Sequence, residues 1–189
     1  MKRYEKHYRG KNAHDEYKTV AIIKANYTKK AGSAKASIRY IEHRPGKEGE
    51  RITRALFSSE GLIGRYQAYD MIESAKDGSS FFRFVMSPDP NKEDTEKDLA
   101  LRDITKMTME TLEERIGQSV SWVAAIHADH APHRHVHILA VVEGRLQPQD
   151  FQALRKTATS VSLQQRKELD VVREQQARER SEAEWELQR

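Results

Sequence analysis

Apolar positions along the chain fall into short blocks whose spacing switches between the period of a strand and that of a helix. The β-branched run TVAIIKANY (residues 19–27) reads as a first strand. The small residues Ala31-Gly32-Ser33 then turn the chain into a helix from about Ser33 to Arg44, with Ala34, Ile38 and Ile41 on one face. Pro45-Gly46 ends it. Residues 51–63 predict a short strand or a hairpin around a glycine turn, followed by a short helix over Gly64–Ala75 and a break at Gly78-Ser79. SFFRFVMS (80–87) is a strand stopped by Pro88-Asp89-Pro90, and residues 93–117 form an amphipathic helix with Leu101, Ile104, Leu112 and Ile116 to one side. VSWVAAIH (120–127) and HVHILAVV (135–142) are two further strands, separated by the loop ADHAPHR. Beyond Gly144, Pro148 suits a first helical position, and helix formers continue to Arg189. From about Arg173 nearly every residue is charged or Gln, so this end is either a solvated helix or a frayed tail.

This order predicts an α+β fold: a mostly antiparallel central sheet with helices packed on one face, and a long C-terminal helix. The 189 residues suit one domain with appendages. The divisions expected are a flexible basic arm (1–16), a core domain (17–145) and a C-terminal helical extension (146–189).

Composition narrows the chemistry. No run approaches the roughly 18–20 apolar residues of a membrane span, and the polar start lacks the apolar stretch of a secretory signal. A cytoplasmic protein with no membrane partner is the expectation. The absence of cysteine excludes disulfides, cysteine zinc fingers, iron–sulfur clusters and thiol nucleophiles. Charge is unevenly placed: residues 1–54 hold 15 Lys/Arg against 6 Asp/Glu, the remaining 135 hold 18 against 23. A basic front section on a near-neutral body suits a phosphate-binding surface, the plainer alternative being a solvated basic arm.

Histidine placement is the strongest chemical signal. Five of the eight histidines, His127, His130, His133, His135 and His137, fall within eleven residues. In a strand, His135 and His137 project from one face, about 7 Å apart along the backbone. His127 closes the preceding strand and returns beside them if the two strands pair. Three neutral imidazoles around a divalent ion leave coordination positions open, as a catalytic site requires. His130 and His133, in the loop, are expected to be partly exposed. Asp129 either orients a ligand imidazole or shapes the turn. Without an HExxH pattern a zinc peptidase is disfavoured. The basic front section points instead to a phosphodiester, attacked by water, serine or tyrosine with the metal as Lewis acid.

IHADHAPHRHVHILAVV resembles the third motif of the conjugative relaxases, the HUH (His-hydrophobic-His) endonucleases, and within them the mobilisation nucleases (MobP-like). His127, Asp129, His135 and His137 fill its places. KASIRYIEHRPGK is similar to the family's first motif, with Tyr40 as nucleophile, and FRFVMSPDP to its second, with Ser87 near the DNA backbone. The matches span roughly residues 20–145. Two departures are an extra histidine, His133, and Val142-Glu143 near the place of an asparagine often found after the third motif.

The resemblance implies site-specific nicking and joining of single-stranded DNA through a 5′-phosphotyrosyl intermediate, by a plasmid or mobile-element relaxase. It implies Mg²⁺ or Mn²⁺ held by His127, His135 and His137, with Tyr40 and Asp129 as catalytic residues. The partners implied are single-stranded DNA at an origin-of-transfer-like site and accessory mobilisation proteins. Alternatives are an HUH replication initiator or transposase, or a non-catalytic nucleic-acid-binding protein; a tyrosine upstream of the histidines favours a relaxase.

A phenol ordinarily ionises near pH 10, so attack at neutral pH needs a neighbouring cation or base. The helix bearing Tyr40 also carries Arg39, His43 and Arg44. The plainer role for Tyr40 is capping the core between Ile38 and Ile41, and Tyr27, Tyr66 and Tyr69 are rival nucleophiles. Lys35, Arg39, Arg44, Arg51 and Arg54, with Lys29 and Lys30, are candidate phosphate contacts. Trp122, Phe81 and Phe82 fit the core better than a base-stacking platform.

Overall fold

The computed structural model describes residues 21–129 and 133–187. The expected arm over 1–16, the start of the first strand and His130 lie outside the described residues. Ten elements follow in order: β1 (Ile22–Thr28), α1 (Ala31–His43), β2 (Leu56–Ser58), β3 (Gly61–Ile63), α2 (Arg65–Glu73), β4 (Ser80–Ser87), α3 (Leu101–Ile116), β5 (Trp122–His127), β6 (His135–Val142) and α4 (Pro148–Leu187). The strands form one six-stranded sheet in the order β1-β4-β6-β5-β2-β3, with every neighbouring pair antiparallel. The fold is α+β, with an antiparallel sheet and a long C-terminal helix. Within the expected 51–63 stretch, the β2–β3 hairpin occupies residues 56–63.

One expectation is corrected: helices cover both faces of the sheet. Side chains alternate across each strand, and here both sets are apolar. Phe82, Phe84, Met86, Trp122, Val136 and Ile138 pack against Leu101, Ile104, Met109 and Leu112 of α3 and Leu154 and Ala158 of α4. On the opposite face, Phe81, Val123, Ala125 and Leu139 meet Ala34, Ile38 and Ile41 of α1 and Ala68 and Ile72 of α2. Strands that are apolar on both sides need two covers, and each large side chain removed from water contributes roughly 1.5–3 kcal/mol.

A second correction concerns the helix expected from residue 93. Regular α3 begins only at Leu101. Carboxylates in the preceding segment capture backbone donors and favour turns over helix. Asp89 Oδ1 accepts from Asn91 N (2.7 Å), Glu93 Oε2 from Asp89 N (2.6 Å), and Asp94 Oδ1 from Leu99 N (3.3 Å). Gly117, in the left-handed region at φ 65°, ends α3.

Glu93 is fully buried, its Oε1 lacks a hydrogen-bond partner among the described residues, and burial pushes its carboxyl from 4.5 up to about 7. Between those pH values the folded chain keeps a proton that the unfolded chain has released. Stability therefore falls as pH rises through that window, by about 3 kcal/mol at most. Glu93→Gln should remove this dependence. In urea unfolding, its stability relative to wild type should rise by about 1–3 kcal/mol between pH 4.5 and pH 8. A constant difference across that range would contradict the assignment.

α4 spans forty residues, and from Val171 to Glu186 every side chain is exposed. The charged end is thus a solvated helix. Arg166 bonds Asp98 (2.7 Å) and Arg173 reaches the same carboxylate (2.8 Å), tying the middle of α4 to the turns before α3. Among the described residues, no helix is long and apolar enough to cross a membrane.

Candidate metal centre and active site

The antiparallel β5–β6 register sets His135 opposite His127, while His137 stands opposite Ala125 and, on its other side, Val85. All three imidazoles share the sheet face covered by α1. Ring centroids lie 4.5 Å apart for His127–His137, 5.0 Å for His135–His137 and 5.4 Å for His127–His135. Each ring offers a nitrogen within 4.8 Å of the other two.

The hydrogen bonds around the rings indicate which nitrogens are free. A carbonyl can only accept, so His127 Nε2, 2.7 Å from the oxygen of Ile41, carries its proton. His127 Nδ1 then keeps its lone pair, and it is buried with no partner among the described residues. His135 directs Nδ1 at the carbonyl of His133 (3.5 Å), which leaves Nε2 as the acceptor nitrogen. His137 Nε2 is likewise buried without a partner among the described residues. Burial drives His127 down to about 4 and His137 to about 3, and lowers His135 as well; neighbouring imidazoles add to the effect on His137. All three rings are neutral at physiological pH, the form that binds metals. Orphaned buried nitrogens, fixed tautomers and convergent rings fit a divalent cation. The all-imidazole set suits first-row transition ions better than Mg²⁺, which prefers oxygen.

Tyr40 stands beside this cluster. Its ring is 49% exposed and meets His137 edge-on at 6.1 Å, while the Arg44 guanidinium lies 5.5 Å from its centroid. Its neighbours Ile38 and Ile41 point into the core, so Tyr40 is not a core cap. The rival tyrosines lie elsewhere. Tyr27 packs on Phe82 at 5.3 Å on the opposite sheet face, and Tyr66 and Tyr69 pack on each other along α2.

The last turn of α1 is held by three separate contacts. His127 bonds the carbonyl of Ile41, the backbone N–H of Arg54 donates to Glu42 (2.9 Å), and Arg54 NH1 donates to the carbonyl of Arg44 (2.8 Å). The same guanidinium forks onto Asp129, with Nε donating to Oδ1 at 3.2 Å and NH2 to Oδ2. Two expectations change here. Among the described residues Asp129 shows no hydrogen bond to an imidazole; its partner is Arg54, which holds the Asp129 carboxyl below its ordinary range. Arg54 is buried in that pair and is not presented to a phosphate. Together they set the height of the Tyr40 turn over the histidines.

The other candidates divide. Ser87 and Arg44 line a groove of about 270 Å³ that opens against His133 and His135, its remaining lining being Ile22, Lys24 and Val85. Lys35 pairs with Glu73 and Arg39 donates to the Tyr69 hydroxyl (3.3 Å), so both serve the α1–α2 contact. His43 is engaged by Thr53 and Arg65. Arg51, Lys29 and Lys30 are exposed. A larger cavity, about 400 Å³, lies among Arg115, Gln118, Glu143 and Asp150, and its lining has no histidine or tyrosine.

Sequence reasoning missed the Ile41 carbonyl, which no side-chain pattern reveals. It also missed Arg134, whose fork onto Asp94 (2.8 and 2.6 Å) fastens the start of β6 to the turns before α3. An arginine directly before the paired histidines was the available signal. No protein-family model, no curated protein and no solved structure matches this chain.

Proposed function

We propose that the protein is a metal-dependent enzyme that nicks and rejoins single-stranded DNA, of the HUH relaxase type, with Tyr40 as its nucleophile. The observation that carries this is the exposed phenol 6.1 Å from the nearest of three convergent, neutral imidazoles, with Arg44 against its ring. His127, His135 and His137 would hold the ion, which when bound supplies Lewis-acid polarisation of the scissile phosphate.

The chain's own groups do the rest. Tyr40 Oη bonds to phosphorus as the phosphorus–O3′ bond breaks. The phenolic proton leaves to solvent, which the half-exposed ring permits, and the departing O3′ takes one up. Arg44 places positive charge beside both the phenolate and the phosphate. The product is a 5′-phosphotyrosyl ester and a free 3′-hydroxyl. Because a phosphodiester has been exchanged for a phosphodiester, attack by a 3′-hydroxyl restores the strand and releases Tyr40.

Plasmid transfer, with DNA at an origin-like hairpin and accessory mobilisation proteins, is the setting this chemistry serves in the resembling family. The test is incubation with a 3′-labelled single-stranded oligonucleotide pool and Mn²⁺, followed by denaturing electrophoresis. A label that migrates with the protein is the result expected. DNA that binds and never becomes attached would point to the non-catalytic binding protein instead.

A further inference from the structure

Beside the triad the sheet face is only half covered. The register lays residues in rows across four strands: Lys24, Val85, His137 and Ala125 form one, and Asn26, Arg83, Leu139 and Val123 the next. At the β5–β6 end Ala125, Leu139 and Val123 of these rows are buried under α1 and α2. At the β1–β4 end Lys24 and Asn26 are exposed, and Val85 and Arg83 are partly so. The result is a shelf that begins at the histidine groove and runs along β1 and β4, with Tyr40 and Arg44 at its head.

The shelf is electrostatically one-sided. Strands β1, β4, β5 and β6 contain no Asp or Glu. Among the described residues, neither Lys24 nor Arg83 has a carboxylate within salt-bridge distance. Arg83 Nε is buried with no hydrogen-bond partner among the described residues. Buried donors normally find acceptors, so a guanidinium held this way marks a position where an external acceptor belongs. Arg83 is also the one charged residue in the strand SFFRFVMS, on the face it shares with Val85 and Ser87.

We propose that this shelf is the track for the substrate strand, with Lys24 and Arg83 binding neighbouring phosphates of single-stranded DNA on their way to Tyr40. Rows on one strand face repeat about every 7 Å, which brings the two cations within reach of adjacent phosphates of an extended chain. The planar guanidinium can fork onto phosphate oxygens, and Lys24 acts as a point charge nearer the scissile bond. The track rests on the DNA reading of the site and assigns it residues that lie outside the three resembling motifs or, for Arg83, had no role within them.

The test is fluorescence anisotropy of a labelled oligothymidylate in EDTA, so that no metal-dependent chemistry intervenes. Lys24→Glu and Arg83→Gln should each weaken binding at least about 10-fold, and each should lower the slope of log affinity against log salt by about 0.7. Lys167→Glu, on the exposed side of α4 across the sheet, makes the same charge change as Lys24→Glu and should stay within about twofold of wild type. Unchanged Mn²⁺ affinity in calorimetry checks that each variant is folded; Lys24 is exposed, so its variant alone decides the matter if Arg83→Gln is unstable. Equal weakening by Lys24→Glu and Lys167→Glu would overturn the track and leave the nicking chemistry standing. A wild-type protein that binds no oligonucleotide would overturn both.

Discussion

Tyr40→Phe should abolish attachment of DNA to the protein, lowering adduct formation by at least about 10³-fold, while Mn²⁺ affinity stays at the wild-type value. The substitution removes only the hydroxyl. A phenylalanine ring keeps the edge-on contact with His137 at 6.1 Å and the guanidinium of Arg44 at its face. Because α1 is anchored by Ile38 and Ile41 and by the ties to His127 and Arg54, the turn should not move. A variant that binds metal, binds DNA and fails only in attachment isolates the nucleophile from everything that supports it. An undiminished adduct in Tyr40→Phe would return the role to Tyr27, Tyr66 or Tyr69, each of which would then have to travel to the phosphate from another part of the fold.

His137→Ala should weaken Mn²⁺ binding by at least about 100-fold, since loss of an outer-shell partner alone costs 10–100-fold and here a ligand itself is removed. DNA attachment should fall with it. The metal-free fold should lose little. Truncation leaves a small cavity, yet it also removes a buried imidazole nitrogen that has no partner among the described residues. These effects oppose each other, leaving a net change of about 1–2 kcal/mol. Calorimetric titration with Mn²⁺ and thermal unfolding of the metal-free protein separate the two. Wild-type affinity in the variant would mean that the ion is held by other groups.

Much of this arrangement can be read along the chain. SFFRFVMS, WVAAIH and HVHILAVV carry their strand character locally, and the two-residue spacing of His135 and His137 places both rings on one face in any strand. The convergence of His127 needed only the short loop between β5 and β6. What was illegible depends on partners distant in sequence. Asp129 meets Arg54, 75 residues earlier, and nothing local to either residue announces the pair. Apolar spacing predicts a helix from residue 93 because it carries no trace of the Asp89, Glu93 and Asp94 side chains capturing backbone donors. Element order alone does not say which face of the sheet each helix covers; the second helical layer shows only in the packing, where Trp122, Val123, Ala124 and Ala125 are buried in succession. Lys24 and Arg83 look like isolated charges until the β1–β4 register sets them in neighbouring rows.

Anomalous scattering from crystals soaked in Mn²⁺ bears most directly on the claim that His127, His135 and His137 form a metal centre beneath Tyr40. The expected map holds one peak about 2.0–2.3 Å from a nitrogen of each ring, with the phenol of Tyr40 on its open side. A map with no density among the three rings, or with the ion bound by carboxylates elsewhere, would contradict it.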